Sequence, residues 1–294
     1  MASRPRKVVV LGSSGFIGNA LAERFRQTGK LRVIGLRSKN LDLSKPDAWK
    51  RLAKKLGPDV LLIHAARPRV KKDQTERLVK DIAISFSVSE ALRAMRVWKA
   101  VYLSSTAVYG DGRNRREIRE SDAVEPSSAY GYSKWCGERL MQDAVASKKN
   151  KLLILRPCMV FGPGNREEAY GPNQFISSLG SSGRIRVYGD GKETRSYIYI
   201  DDFCEIAEKL ALGSHQGVFN LAGPVSKSFS DLARQIPEIA GRKVKLEKLK
   251  RSREAASQSI SSKKLRARLR GVKFTPFQAA LKTTWENDVL KKQP

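Results

Sequence analysis

Residues 7–25 read KVVVLGSSGFIGNALAERF, an apolar run that passes through three glycines into a segment of helical period. The stretch 7–12, KVVVLG, has the unbroken apolar character of a strand buried on both faces. From about Gly15 to Thr28 the pattern is that of a helix. Gly12, Gly15 and Gly18 therefore fall directly between strand and helix, spaced G-x-x-G-x-x-G. Gly12 permits the tight turn, Gly15 lets the backbone approach a pyrophosphate, and Gly18 lets helix and strand pack closely. The N–H groups of the helix N-terminus then point at the phosphates, and Phe16 and Ile17 belong to the same loop. The pattern implies dinucleotide binding; three glycines serving packing alone is the plain alternative.

Working outward, apolar runs keep alternating with helical segments. Strands are expected at 31–36, 59–65, 99–105 and 151–157, with helices over 44–57, about 74–96 and about 128–149. The 44–57 segment carries a serine at its start, an early proline and a closing glycine. Continuous apolar strands separated by helices mean a parallel sheet covered on both faces, so the fold class is α/β, doubly wound. After Pro157 a Gly/Pro/Ser-rich region, 161–183, suggests loops and short elements of a smaller C-terminal lobe. A helix at about 201–212 and the strand-like 217–223 could return to the sheet. The expected division is a dinucleotide-binding domain of 1–160 plus about 199–223, and a substrate-binding lobe of 161–198 plus 224–294.

With 57 Lys and Arg against 29 Asp and Glu, the net charge is +28. Such a field attracts phosphates, from nucleotides to nucleic acid or anionic lipid. The densest runs, KLEKLKRSRE (245–254) and SSKKLRARLRG (261–271), read first as solvated helix faces, and no aromatic-interleaved motif supports a nucleic-acid groove. The three cysteines, Cys136, Cys158 and Cys204, lack metal-like spacing, and His64 with His215 cannot make a zinc site alone. Together they point to a reducing cytoplasm and no metal. No run of about 18 apolar residues occurs to span a membrane, and the N-terminus has no secretory pattern.

The second strand ends GLRSKN, without an acid at its tip to select the ribose hydroxyls of NAD. Arg37, with Ser38 and Lys39 nearby, could instead pair with a 2′-phosphate, which favours NADP over NAD. The alternative is exposed turn residues in a basic protein.

In order along the chain stand GSSGFIG, NLDLS, LLIHAA, YLSSTAVYG, YGYSK, RPCMVFGPG, VYGDGKETRSYIYIDD and VFNLAG. Through these motifs the sequence resembles an extended short-chain dehydrogenase/reductase, and more narrowly the nucleotide-sugar epimerase/dehydratase/reductase group. The resemblance implies that Asp42 and Leu43 border the adenine and that Ala65 and Ala66 lie against the cofactor. It makes His64 structural, Ser105 the catalytic Ser/Thr, and Tyr130 with Lys134 the Tyr-x-x-x-Lys pair. Arg195 corresponds to an arginine that holds the substrate diphosphate. A homodimer through helices flanking the active site is also common in that group.

Elementary chemistry agrees with that reading of the tyrosine. Residues i and i+4 share one helix face, so Tyr130 and Lys134 can line one cleft while Tyr132 points away. An ammonium beside a phenol favours the phenolate, which suits a proton carrier at a sugar oxygen during hydride transfer. Ser105 would hydrogen-bond the same oxygen.

Departures narrow the chemistry. Where dehydrating relatives carry Asp-Glu after the Ser/Thr, this chain has Thr106 and Ala107, which disfavours dehydration. Met159 replaces a common asparagine, and Ser196 a common aspartate. The short link between the second strand and NLDLS resembles 4-keto-sugar reductases, placing reductase slightly ahead of 4-epimerase. The competing class is an RNA-associated or assembly protein that retains the dinucleotide site, which the charge suits.

Overall fold

The computed structural model describes residues 4–68, 70, 73–111, 114–165, 170–251 and 256–292. In chain order the first elements are β1 (Lys7–Leu11), α1 (Phe16–Gln27), β2 (Arg32–Leu36), α2 (Ala48–Ala53) and β3 (Val60–His64). They are followed by α3 (Gln74–Ala94), β4 (Lys99–Leu103), β5 (Arg115–Ile118), α4 (Ala129–Lys148) and β6 (Leu152–Pro157). Next come β7 (Met159–Phe161), α5 (Pro172–Ser182), β8 (Arg184–Tyr188), β9 (Thr194–Tyr199), α6 (Ile200–Leu212) and β10 (Gly217–Leu221). The chain closes with β11 (Ser226–Ser228), α7 (Phe229–Ala240), β12 (Lys245–Leu249), β13 (Gln258–Ile260), α8 (Lys263–Arg268) and α9 (Phe277–Asp288).

These elements form two compact units. One takes the described residues within 1–111, 120–157 and 204–220; the other takes those within 112–119, 158–203 and 221–294. The first is built on a six-stranded sheet of order β10-β6-β4-β3-β1-β2, in which β2, β1, β3, β4 and β6 run parallel. Val8, Val9, Val10, Leu61, Leu62 and Leu153 are all buried, as strands covered on both faces require. The order leaves β1 in two directions, towards β2 and towards β3, so the switch point lies at the tips of β1 and β3. The doubly wound α/β class read from the sequence is what the chain adopts, with β10 as the sixth strand.

Helices α3 and α4 pack on each other, and their buried faces are unusually polar. On α4 the buried positions are Gly131, Ser133, Lys134, Gly137 and Glu138 before the apolar Met141 and Ala144. On α3 they include Asp81, Ser85, Ser87 and Ser89. Buried charge is the informative exception in a core, and here it gathers on α3 and α4.

The second unit holds a three-stranded sheet, β11-β9-β7, and two parallel pairs, β12 with β8 and β13 with β5. Tyr170, Phe175 and Phe229 cluster in its core, as do Phe161, Tyr197 and Phe277. Among the described residues no helix is long and apolar enough to cross a membrane.

Three local expectations are corrected. The helix expected over 44–57 is only Ala48–Ala53. The Ser44 amide and hydroxyl both bond Asp42 Oδ1, making a turn instead of a helix cap, and Asp47 is left-handed with φ of 57°. The glycine-rich region after Pro157 contains an 11-residue helix, α5, which starts on Pro172 where a missing N–H costs nothing; residues 166–169 lie outside the described residues. The basic run 245–254 is not a helix face at its start, because Lys245–Leu249 pairs as β12 with β8, and 252–254 lie outside the described residues.

Candidate active site

At the switch point Gly12 and Gly18 are hemmed in by backbone. Gly12 has φ of +79°, and a Cβ there would lie 2.6 Å from the Ala65 carbonyl oxygen and the Ala66 Cα. A Cβ on Gly18 would lie 2.3 Å from the Gly12 carbonyl oxygen. At Gly15, by contrast, a Cβ would meet only that same oxygen, at 3.4 Å, and no side chain caps the helix that Gly15 opens. The first N–H groups of α1 are therefore open to an anion, with Phe16 and Ile17 in that first turn. The Leu36 carbonyl accepts from the amides of Gly12 and Ser13, at 2.9 and 3.2 Å, and Ala65 N donates to Leu11 O at 3.1 Å. Arg37 thus begins at the tip of β2 beside the glycine turn, exposed, while Ala65 and Ala66 flank it on the other side. A tight glycine turn that leads into an uncapped helix N-terminus is what a nucleotide pyrophosphate needs, so these residues fit a dinucleotide. Asp42 lies beyond β2; its bond from the Ser44 hydroxyl holds the carboxyl below its ordinary value. The Leu43 carbonyl accepts from Ser87 Oγ on α3 at 2.7 Å.

The second group forms where β4 ends against α4. Ser105 is buried, and its Oγ accepts from Ala107 N at 3.1 Å, which caps the short 3₁₀ turn Thr106–Tyr109 and leaves the hydroxyl proton to donate elsewhere. A Cβ on Gly131 would lie 2.5 Å from the Ala107 carbonyl oxygen, so the start of α4 presses directly on the residues that follow Ser105. Tyr130 is half-buried, whereas Tyr132 is 47% exposed. Lys134 is only 3% exposed, with its Nζ 5.8 Å from the centre of the Tyr130 ring and 5.4 Å from that of Tyr102. Ser105, Tyr130 and Lys134 therefore belong to one corner of the first unit, and helical spacing separates Tyr130 from Tyr132 as expected.

Several participants escaped sequence reading. Arg67, just after Ala66, places its Cζ 4.3 Å from the centre of the Tyr130 ring, a second cation on that phenol. Beneath the pair, Ser133 Oγ donates to Asp81 Oδ2 at 2.8 Å, and Tyr102 Oη lies 3.4 Å from the Lys134 carbonyl. His64 is buried in this layer, its Nε2 3.4 Å from Ser85 Oγ and its ring tilted against Tyr102. Burial, aided by the Lys134 charge and opposed by Asp81, lowers its pKa to about 3. A neutral, enclosed imidazole is a packing element, in accord with the structural role expected of it. Glu138, on α4 one turn beyond Lys134, pairs in two places with Arg156 at the end of β6. The signal for these groups was faint: glycines at 131 and 137, and charges on a helix face that also carries Gly, Ser and Ala.

Arg195 lies in the second unit, on β9, where its Nη1 donates to the carbonyls of Thr194 and Ala256. Ser196, in place of an aspartate, accepts from Ile260 N at 2.9 Å and bonds Ser226 Oγ. Thr106 and Ala107, the first residues of the 3₁₀ turn, bring no carboxylate to Ser105.

An open parallel sheet with a glycine turn at its switch point defines a dinucleotide-binding fold. The family model of NAD-dependent epimerases and dehydratases matches residues 8–222, and the chain belongs to that family. A Bacillus subtilis (strain 168) protein described as an uncharacterized UDP-glucose epimerase is 28% identical over 82% of this chain and 84% of its own length. An ADP-L-glycero-D-manno-heptose-6-epimerase of Pseudomonas paraeruginosa is 27% identical over 77% of this chain and 76% of its own. In fold, the chain is similar to the Thermus thermophilus UDP-glucose 4-epimerase crystallised with NAD, with a TM-score of 0.83 at 22% identity, covering 98% and 100% of the two chains. The resemblance drawn from the motifs is borne out at the level of the family.

Proposed function

We propose that the chain is an NAD(P)-dependent enzyme that oxidises and reduces a sugar carbon of a nucleoside diphosphate-sugar, as an epimerase or a keto-sugar reductase. The observation that carries this reading is the buried Lys134 ammonium against the Tyr130 ring, beside the strand-end hydroxyl of Ser105. Tyr130 Oη takes the proton of a sugar hydroxyl as the carbonyl forms and returns it when the alcohol is restored. Ser105 Oγ donates to the same oxygen and steadies its developing charge. Lys134 keeps a fixed positive charge beside the phenol. A bound nicotinamide dinucleotide supplies the acceptor and donor of hydride. Thr106 and Ala107 provide no acid or base for loss of water, which weighs against the dehydratase branch.

NADP is favoured over NAD by Arg37, exposed at the β2 tip and adjoining the glycine turn. The second unit is proposed to bind the substrate, with Arg195 on its diphosphate. The nucleotide-sugars in the relatives' names support the substrate class, and the NAD bound by the Thermus thermophilus epimerase supports a nicotinamide dinucleotide without favouring its phosphorylated form. A homodimer through α3 and α4 is supported by Val79, Phe86, Tyr132 and Trp135, large apolar side chains exposed on those two helices.

The test is native mass spectrometry against a nucleotide-sugar panel, followed by turnover. An epimerase yields the isomeric sugar without net change in the dinucleotide; a reductase consumes one NAD(P)H per keto-sugar. Tyr130→Phe is expected to lower kcat by about 10²- to 10⁴-fold and leave dinucleotide affinity within about twofold. Near-normal turnover by this variant, or no nucleotide-sugar bound at all, overturns the reading.

A further inference from the structure

We propose that Glu138 is a positioning residue that holds both halves of the candidate catalytic group in register, an assignment that rests on the reaction proposed above. Tyr130, Lys134 and Glu138 stand at i, i+4 and i+8 on α4 and so share a face. The N-terminal half of that face has no fully buried apolar side chain with which to grip the sheet. It buries Ser133, Lys134, Glu138 and two glycines, and a Cβ on Gly137 would fall 2.0 Å from Tyr102 Oη. Apolar contact tolerates small slips; directional bonds to a buried charge do not.

Glu138 supplies those bonds. Its Oε1 accepts from Ser104 Oγ and from Arg156 Nε at 2.8 Å, and its Oε2 accepts from Arg156 Nη2 at 2.6 Å. Arg156 spends Nη1 on Tyr109 Oη at 2.8 Å, and Tyr109 in turn donates to Asn220 Oδ1 at 2.8 Å. Ser104 immediately precedes Ser105, and Tyr109 ends the 3₁₀ turn that Ser105 caps. Ser105 is thereby bracketed by two arms of one network whose centre sits on the helix of Tyr130 and Lys134. The ends of β4, β6 and β10, neighbours in the sheet, are tied to α4 through a single carboxylate. A buried ion pair is no more stabilising than apolar side chains of similar size, so stability alone does not account for it. Geometry does: misplacing reacting groups by about 1 Å costs on the order of 100-fold in rate.

The experiment is the double variant Glu138→Met/Arg156→Met, which removes the bonds without leaving a buried charge alone. It is expected to melt within a few degrees of the wild type and bind dinucleotide within about threefold. Its kcat on the nucleotide-sugar that the wild type turns over should fall about 100-fold, with KM nearly unchanged. A folded double variant with wild-type kcat overturns the proposal. Should that variant not fold, Tyr109→Phe keeps the Glu138–Arg156 pair and removes only the outer arm. It is expected to lower kcat about tenfold at unchanged dinucleotide affinity, and unchanged kcat again overturns the proposal.

If the wild type turns over no nucleotide-sugar, the reaction has been misread, and hydrogen exchange decides the positioning role by itself. In whichever variant folds, amides of 104–109 and 129–138 should exchange faster while those of β1 keep their protection. Unchanged exchange in both segments overturns it.

Discussion

The two faces of the first unit are built by different means. At the tips of β1 and β3 the work is done by main chain: Gly12 and Gly18 lie so close to other backbone that a methyl group cannot enter, and the helix amides stand open. At the tips of β4 and β6 it is done by side chains: Ser105, Tyr130 and Lys134 rest on a buried layer of His64, Asp81, Ser133, Glu138 and Arg156. Main-chain donors are rigid without support, so the first face needs only space. Side chains have rotamers to lose, so the second needs a packed, hydrogen-bonded underlayer.

The sharpest way to break this contrast is to place a methyl group on the first face. Gly18→Ala is expected to cost about 3 kcal/mol in urea unfolding, because its Cβ would meet the Gly12 carbonyl, which cannot yield. Gly15→Ala should cost at most about 1 kcal/mol yet weaken dinucleotide binding at least as much. Equal stability losses in the two variants would remove the distinction between a packing glycine and a ligand-facing one.

A middle-sized effect tests the underlayer. His64 has a folded pKa of about 3 against an ordinary 6.5. Between those values the unfolded chain binds a proton that the folded chain refuses, so stability falls as pH drops from about 6.5 towards 3. From pH 7 to 5 the wild type should lose on the order of 2 kcal/mol more than His64→Gln. Parallel pH profiles of denaturation midpoints for the two proteins would contradict an enclosed neutral imidazole.

The smallest effect lies on the exposed rim of the first face. Arg37→Glu should weaken NADPH about tenfold more than NADH, read by titrating each dinucleotide. Equal weakening would leave Arg37 as an ordinary surface charge.

Much of the first face was legible in the chain. The strand–glycine–helix pattern of 7–25 is local, and main-chain recognition needs only local geometry to be foreseen. Tyr130 and Lys134 could be paired because helical spacing is also local, and Ser105 was reached through the likeness of its motif to a known family. Arg67 and Arg156 could not be reached that way. Arg67 is 63 residues from Tyr130 in sequence, and Arg156 is 18 from Glu138 and 47 from Tyr109. The failure at 44–57 was local but subtle, since Ser44 bonded back to Asp42 instead of capping a helix.

By itself, then, the sequence determined the doubly wound sheet, the glycine turn and the placing of Tyr130, not Tyr132, on the helix face of Lys134, since these follow from periods of two to four residues and from backbone sterics. Only the tertiary structure decided which buried charges meet. It set Lys134 between the Tyr102 and Tyr130 rings, Arg67 on the same phenol, and Glu138 between Ser104 and Arg156. A charge finds its partner across the sheet through packing and desolvation, and no spacing along the chain encodes that.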